Sequence, residues 1–298
     1  MTRTMKEFSP QVVRIDAKID ARTEKNVTDG VRVAISGFKG GHSGARINVP
    51  HANAIKVLGE LIDKLGCEVG GLKGGNADNA IPRSAECVVF GVDVDKINAA
   101  CEEIIAKYKD VEPDGCYEIT EGTSASLYSP EVSKRIAALI TEEPNGVVAM
   151  SKQIKGQVET SLNMGILQCD DSGVTVSFSL RSSKGAKKEE LATRVTKIAE
   201  SKGAVCDAHG AYPGWDYREE SPLRDTMCAV YKKMYGTDAK VITIHAGLEC
   251  GIFSDKIEDL DCISMGPNGH DIHTTEERLS ISSTARVWEF LKEVLKNI

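Results

Sequence analysis

Two stretches of this chain repeat the same order of strand then helix, and that order limits the fold more than any other feature. Ala85–Val92 is an apolar strand, introduced by Asn79-Ala80-Ile81-Pro82 and followed by a helical pattern over about 95–108. Val174–Arg181 is a second apolar strand, introduced by Asn163-Met164-Gly165-Ile166 and followed by a helical pattern over about 187–199. The two share little residue identity. A strand with one apolar face and a helix with one apolar stripe cover each other in layers. The expected fold is therefore mixed: an α+β layer with helices on one face of a sheet, beside a further α/β segment.

The rest of the pattern fills in around these units. Val12–Ala21 alternates in its second half and predicts a strand, and Val31–Ile35 alternates again after the turn signal Asp29-Gly30. A β-hairpin is the expectation there. A glycine-rich loop, Gly37–Gly44, leads to Ala52, Ile55, Leu58, Leu61, Ile62 and Leu65 at helical spacing, with Gly66 as the stop. A helix over 130–141 and strands over 146–150 and 157–161 lie between the two units. Tyr212-Pro213-Gly214-Trp215 is a turn-rich linker. Beyond it come a helix (223–235), a strand (240–244), a strand (261–264) and a helix (282–297). Those roughly 85 residues are few for a complete α/β domain. The strand at 241–244 and the helix face Val287, Phe290, Leu291 and Val294 are expected to lack cover.

Composition narrows the function. The net charge is −7, from 44 acidic against 37 basic residues, which argues against nucleic acid or an anionic membrane as the main partner. No apolar run approaches the ~18 residues of a membrane span. Met1–Phe8 holds no apolar core of the kind a signal peptide needs. Nine scattered cysteines without a CxxC pair argue against a disulfide framework and for a reduced, cytoplasmic compartment.

Several residues could carry chemistry. His42 stands among glycines 37, 40, 41 and 44, a loop that lets backbone approach a ligand and leaves the imidazole available to an oxyanion. An unremarkable surface turn would look the same. Asn79 could bond the peptide groups of a substrate or cap its own backbone. Arg181, at a strand end, could grip a carboxylate with two bonds or be a solvated cation. His245 and Glu249 are spaced for a metal or by chance, and Cys250 has no cationic activator. The loop Gly266–Glu277 holds His270 and His273, three apart, of which one is the more credible metal ligand. HExxH, Walker A, dinucleotide GxGxxG, GxSxG and His-x-Asp motifs are all absent from the sequence.

Taken in order, a set of segments resembles the aminoacyl-histidine dipeptidases (Xaa-His dipeptidases, peptidase D), a branch of the two-zinc aminopeptidase and carboxypeptidase superfamily. They are Gly37–Gly44, Gly74-Gly75-Asn76 with Asn79–Arg83, Pro144–Val147, Glu159–Gly165, Gly210–Trp215, Ile244–Gly251, and Gly266-Pro267 with His273 and Glu276-Glu277. The resemblance implies a two-layer lid inserted into an α/β catalytic domain that binds two zinc ions. It divides the chain into residues 1–27 as a remnant of the catalytic domain, 28–212 as the lid, and 213–298 as the C-terminal part of the catalytic domain. His42 would brace the oxyanion, Asn79, Arg181 and Gly247 would hold substrate, and His273 would ligate zinc. Related enzymes dimerise through their lids, so a homodimer and a small peptide substrate are implied. The family's His-x-Asp ligands, bridging aspartate and Glu-Glu base segment are not found in this sequence. The chain thus looks like a family member without its N-terminal catalytic portion, inactive alone. The alternative is a non-catalytic lid, dimerisation or peptide-binding fragment.

Overall fold

The computed structural model describes residues 4–6, 10–21, 27–124, 127–152, 156–215, 218–242, 248–270 and 277–298. The chain divides into a larger unit, Val12–Ala211, and a smaller one made of Met1–Gln11 with Tyr212–Ile298. Strand β1 (Thr4–Lys6) belongs to the smaller unit, and β2 (Gln11–Asp20) opens the larger one. The remnant segment expected over 1–27 is thus divided, because β2 takes its place inside the lid's sheet.

The larger unit is two copies of one β-α-β-β-α-β pattern. The first copy is β3 (Val27–Ser36), α1 (Ala54–Leu65), β5 (Glu68–Gly74), β7 (Ala85–Phe90), α2 (Val94–Tyr108) and β8 (Cys116–Ser124). Two short strands, β4 (Gly41–His42) and β6 (Ala80–Ile81), interrupt it. The second copy is β2, α3 (Pro130–Glu142), β10 (Val158–Asp170), β11 (Gly173–Ser182), α4 (Gly185–Ser201) and β12 (Val205–Tyr212), with β9 (Gly146–Met150) added beside β10. The sheet runs β12-β2-β11-β10-β5-β7-β3-β8. Each copy orders its strands alike, and the two meet at the antiparallel pair β10–β5, where Leu167 faces Gly74 and Gln168 faces Lys73. The first copy is inserted whole between β2 and α3.

This topology replaces the expected hairpin. β3 pairs with β7 and β8, not with β2, and Asp29-Gly30 sits within β3 at a register shift against β8 rather than in a turn. Asp29 holds a left-handed backbone with φ 71°. The local turn signal is therefore spent on a bulge. Three of the longer strands escape the alternation argument altogether. β5 reads Glu-Val-Gly-Gly-Leu-Lys-Gly, whose glycines hide it, and β8 and β12 are edge strands with most of their residues exposed or half-buried.

Helix ends follow local chemistry. The Asn53 side chain accepts from the amides of Ile55 and Lys56, and Gly66 closes α1 in a left-handed cap with φ 57°. Ser129 caps α3, with Pro130 in its first turn. Apolar residues of all four helices, among them Leu58, Ile97, Ile140 and Val195, join one core with Val33, Val89, Leu162 and Phe178 from the sheet. Helices thus cover one sheet face, as expected.

In the smaller unit β1 pairs in parallel with β13 (Lys240–Ile242). Helix α5 (Pro222–Tyr235) and the C-terminal helix described below share a core of Met5, Met227, Val230, Tyr231, Phe290 and Val294. Helix α6 (Glu249–Lys256) and the strand pair β14 (Gly269–His270) and β15 (Arg278–Leu279) precede the last helix, α7 (Ile281–Leu295). Phe290 and Val294 are therefore covered, contrary to expectation, by α5. Leu291 is exposed as expected, on the face that also bears Ile281, Trp288 and Leu295, exposed at 86%, 59% and 64%. Asp261–Ser264 forms no continuous strand: the Asp261 carboxylate accepts from Ser221 Oγ (2.6 Å) and the Leu223 amide (2.9 Å), tying it to the start of α5.

Candidate functional site

Period-two alternation divides β10 and β11 between two faces. Leu162, Met164, Val176, Phe178 and Leu180 enter the helical core, so Ser161, Asn163, Ser179 and Arg181 project from the opposite face. Arg181 faces Ser161 across the pair, and Asn163 faces Ser179. Arg181 is only 6% exposed, so the reading of a solvated strand-end cation does not hold.

The ribbon β4–β6 lies over this face. Gly41 pairs with Ile81 and His42 with Ala80. The Ser43 amide donates to the carbonyl of Asn79 at 2.8 Å, so His42 and Asn79 are neighbours on one ribbon. Asn163 Nδ2 reaches up from β10 to the carbonyls of Asp78 (2.8 Å) and Ala80 (2.9 Å). Glycine makes the crossing close: a Cβ at Gly165 would stand 2.6 Å from Asp78 Cα, and Gly75 (φ 67°) passes against the carbonyl of Gly165. Arg14 pairs with Asp78 beside it. Asn79 therefore hangs over Asn163, and Arg181 lies on the neighbouring strand, two residue positions (about 7 Å) beyond the Ser179 that faces Asn163.

His42 is half-buried and outside the lid core. Its Nδ1 accepts from the amides of Gly44 (3.0 Å) and Ala45 (3.2 Å). A nitrogen that accepts cannot carry the proton, so the neutral ring holds it on Nε2, which is then a hydrogen-bond donor. That is the tautomer an oxyanion needs. Further along the loop, burial lowers the pKa of His51 below its ordinary value, against the smaller opposite pull of Glu112.

Sequence reasoning passed over two side chains that frame this ribbon. Glu112 is 1% exposed and accepts from the amides of Lys39 and Ala52, both at 2.8 Å. Within Val-Glu-Pro-Asp-Gly it reads as an ordinary turn carboxylate, and its partners lie 60 or more residues away. Asn163 had a signal, as the leader of a repeated unit, but not one that pointed to the site.

Gly247, His245 and His273 lie outside the described residues. Among the described residues no group of three or more His, Cys, Asp or Glu side chains could hold a metal ion, so the donors in view do not make up a metal centre. A cleft of about 590 Å³ in the smaller unit is lined by Trp215, Arg218, Arg224 and Asp259, among others. Arg218 bonds Asp259 at 2.8 Å, and Arg224 donates to the carbonyls of Arg218 and Glu219. Its guanidinium groups already serve the unit's own loops.

Comparison with known proteins sets this site in context. Residues 33–111, most of the first lid copy, match the family described as "Peptidase dimerisation domain". The cytosol non-specific dipeptidase of Escherichia coli (strain K12) is 31% identical over 282 residues, covering 90% of this chain and 57% of that protein. The crystal structure of aminoacylhistidine dipeptidase from Vibrio alginolyticus superposes with a TM-score of 0.84 at 27% identity, over 99% of this chain and 63% of that one. By sequence and by fold, this chain is similar to these dipeptidases over most of its own length. It spans about three fifths of their length. No helix among the described residues is long and apolar enough to cross a membrane.

Proposed function

We propose that this chain is the substrate-holding portion of a metal-dependent cytoplasmic dipeptidase that cleaves Xaa-His dipeptides. The observation that carries the reading is His42 with its Nδ1 held by two amides, beside Asn79, over the face that bears Arg181. Arg181 takes the terminal carboxylate of the peptide with paired, charge-assisted bonds. Asn79 bonds the peptide group, and Gly247 lies along the substrate. His42 donates through Nε2–H to the oxygen that becomes negative as the carbonyl is attacked. His273 is the zinc ligand from the C-terminal segment. The family chemistry uses two zinc ions, which supply an activated water when bound, and one histidine does not hold them. The reading includes a homodimer through the lid, supported by the match of residues 33–111.

Metal analysis and a dipeptidase assay on the purified chain test this directly. Weak zinc binding and negligible hydrolysis are expected. Two tightly held zinc ions with robust turnover would overturn the incomplete-centre reading. In a catalytically complete relative, the change equivalent to His42→Ala should lower kcat by roughly 10²–10³ with little change in KM. The change equivalent to Arg181→Ala should mainly raise KM for substrates with a free carboxylate. If neither substitution alters turnover or binding, the assigned roles are wrong.

A further inference from the structure

We infer that Glu112 and Asn163 are the positioning residues of this site, together fixing the ribbon that carries His42 and Asn79. The inference deepens the proposed function and rests on the roles given there to those two residues. Neither Glu112 nor Asn163 is assigned any contact with substrate.

Glu112 closes the neck of the loop. One carboxylate oxygen takes the Lys39 amide and the other the Ala52 amide, so the two ends of the segment holding β4 are tied to one side chain. The side chain is itself fixed at the end of α2, where the Glu112 amide donates to the Tyr108 carbonyl at 2.7 Å. Burying a carboxylate is costly unless it is bonded, and charge-assisted bonds to backbone amides are among the stronger kinds. A turn residue with no task beyond the turn would leave its carboxylate in water.

Asn163 acts from below. Both hydrogens of Nδ2 are committed to the two carbonyls that flank Asn79, which also settles the orientation of the amide. Asp at 163 could not donate, and Ser or Thr would offer one hydrogen. The two clamps therefore bear on the two strands of one ribbon, Glu112 on the His42 side and Asn163 on the Asn79 side. Between them the Ser43 amide to Asn79 carbonyl bond sets the spacing of the pair.

The test uses the full chain as wild type, Glu112→Gln, Asn163→Asp and Asn163→Ser. Three quantities are read by NMR: hydrogen exchange of the Ser43 amide, the ring nitrogen shifts of His42, and binding of the dipeptide Gly-His. Exchange of lid-core amides reports global folding. Asn163→Asp should speed exchange at Ser43 and weaken Gly-His binding by roughly tenfold each, with lid-core protection kept. Asn163→Ser should fall between it and wild type. Glu112→Gln should shift His42 from the Nε2–H tautomer toward a mixture. Unchanged exchange, tautomer and affinity in the variants would overturn the inference. So would loss of all lid protection in both Asn163 variants, which would make Asn163 a folding residue. If wild type itself does not bind Gly-His, the substrate reading fails, while exchange and tautomer still decide the positioning claim.

Discussion

The lid and the smaller unit solve the same problem at different scales. In the lid, four helices and the sheet enclose one continuous core, and even the second sheet face is covered in part by a ribbon. In the smaller unit, α5 and α7 share a compact aromatic cluster in which Tyr231 and Phe290 meet edge to face at 5.7 Å. The opposite face of α7 remains open to solvent. A side chain in the first setting has neighbours on every side, whereas one on the open face of α7 has them on one. Substitutions should therefore differ in cost between the two units more than their chemistry alone implies.

The sharpest test of that contrast is Phe178→Ala. Phe178 is fully buried in the lid core, and its loss should cost roughly 3–5 kcal/mol, read as lost exchange protection of lid amides. A smaller loss would mean that the core can collapse around the cavity. Second is pH. Burial pushes the Glu143 carboxyl up to about 8, against the pull of Lys56 and Arg194 and with some help from Glu142. The folded protein then holds a proton that the unfolded chain, with an ordinary carboxyl near 4.5, releases. Lid stability should be full below about 4.5 as far as this group is concerned, and fall as pH rises through about 8. Glu143→Gln should flatten that slope, and denaturation at pH 5 and pH 9 measures it. The smallest effect belongs to the open helix face. Leu295→Lys should change stability by less than about 0.5 kcal/mol, while light scattering reports less self-association. A large destabilisation there would show that the α7 face is covered in solution.

What the sequence made legible follows from range. Helix α1 was readable because its apolar spacing and Gly66 stop act within little more than a dozen residues. The strand Val174–Arg181 was readable because one face is wholly apolar. The pairing of strands was not, since β2 and β3 have equal claims to a local hairpin and only distant partners decide between them. The candidate site divides the same way. His42, Asn79 and Arg181 could be picked out by residue type and resemblance. Glu112 and Asn163 could not, because each acts on backbone groups far away in sequence, and the repeat that Asn163 leads does not point to the ribbon.

The insertion of one lid copy inside the other has a consequence for how the chain is made. β2 leaves the ribosome before every other strand of its sheet, yet its neighbours β11 and β12 begin only at residues 173 and 205. The first copy, with β3 through β8, can close as soon as residue 124 is available. During that interval β2 is an unpaired, apolar strand next to β3, whose sequence invites the hairpin that the finished fold rejects. Early closure of the first copy occupies both edges of β3 with β7 and β8, and so removes the wrong partner before the right ones exist. The order of synthesis thereby does part of the work of choosing between two pairings that local sequence leaves even.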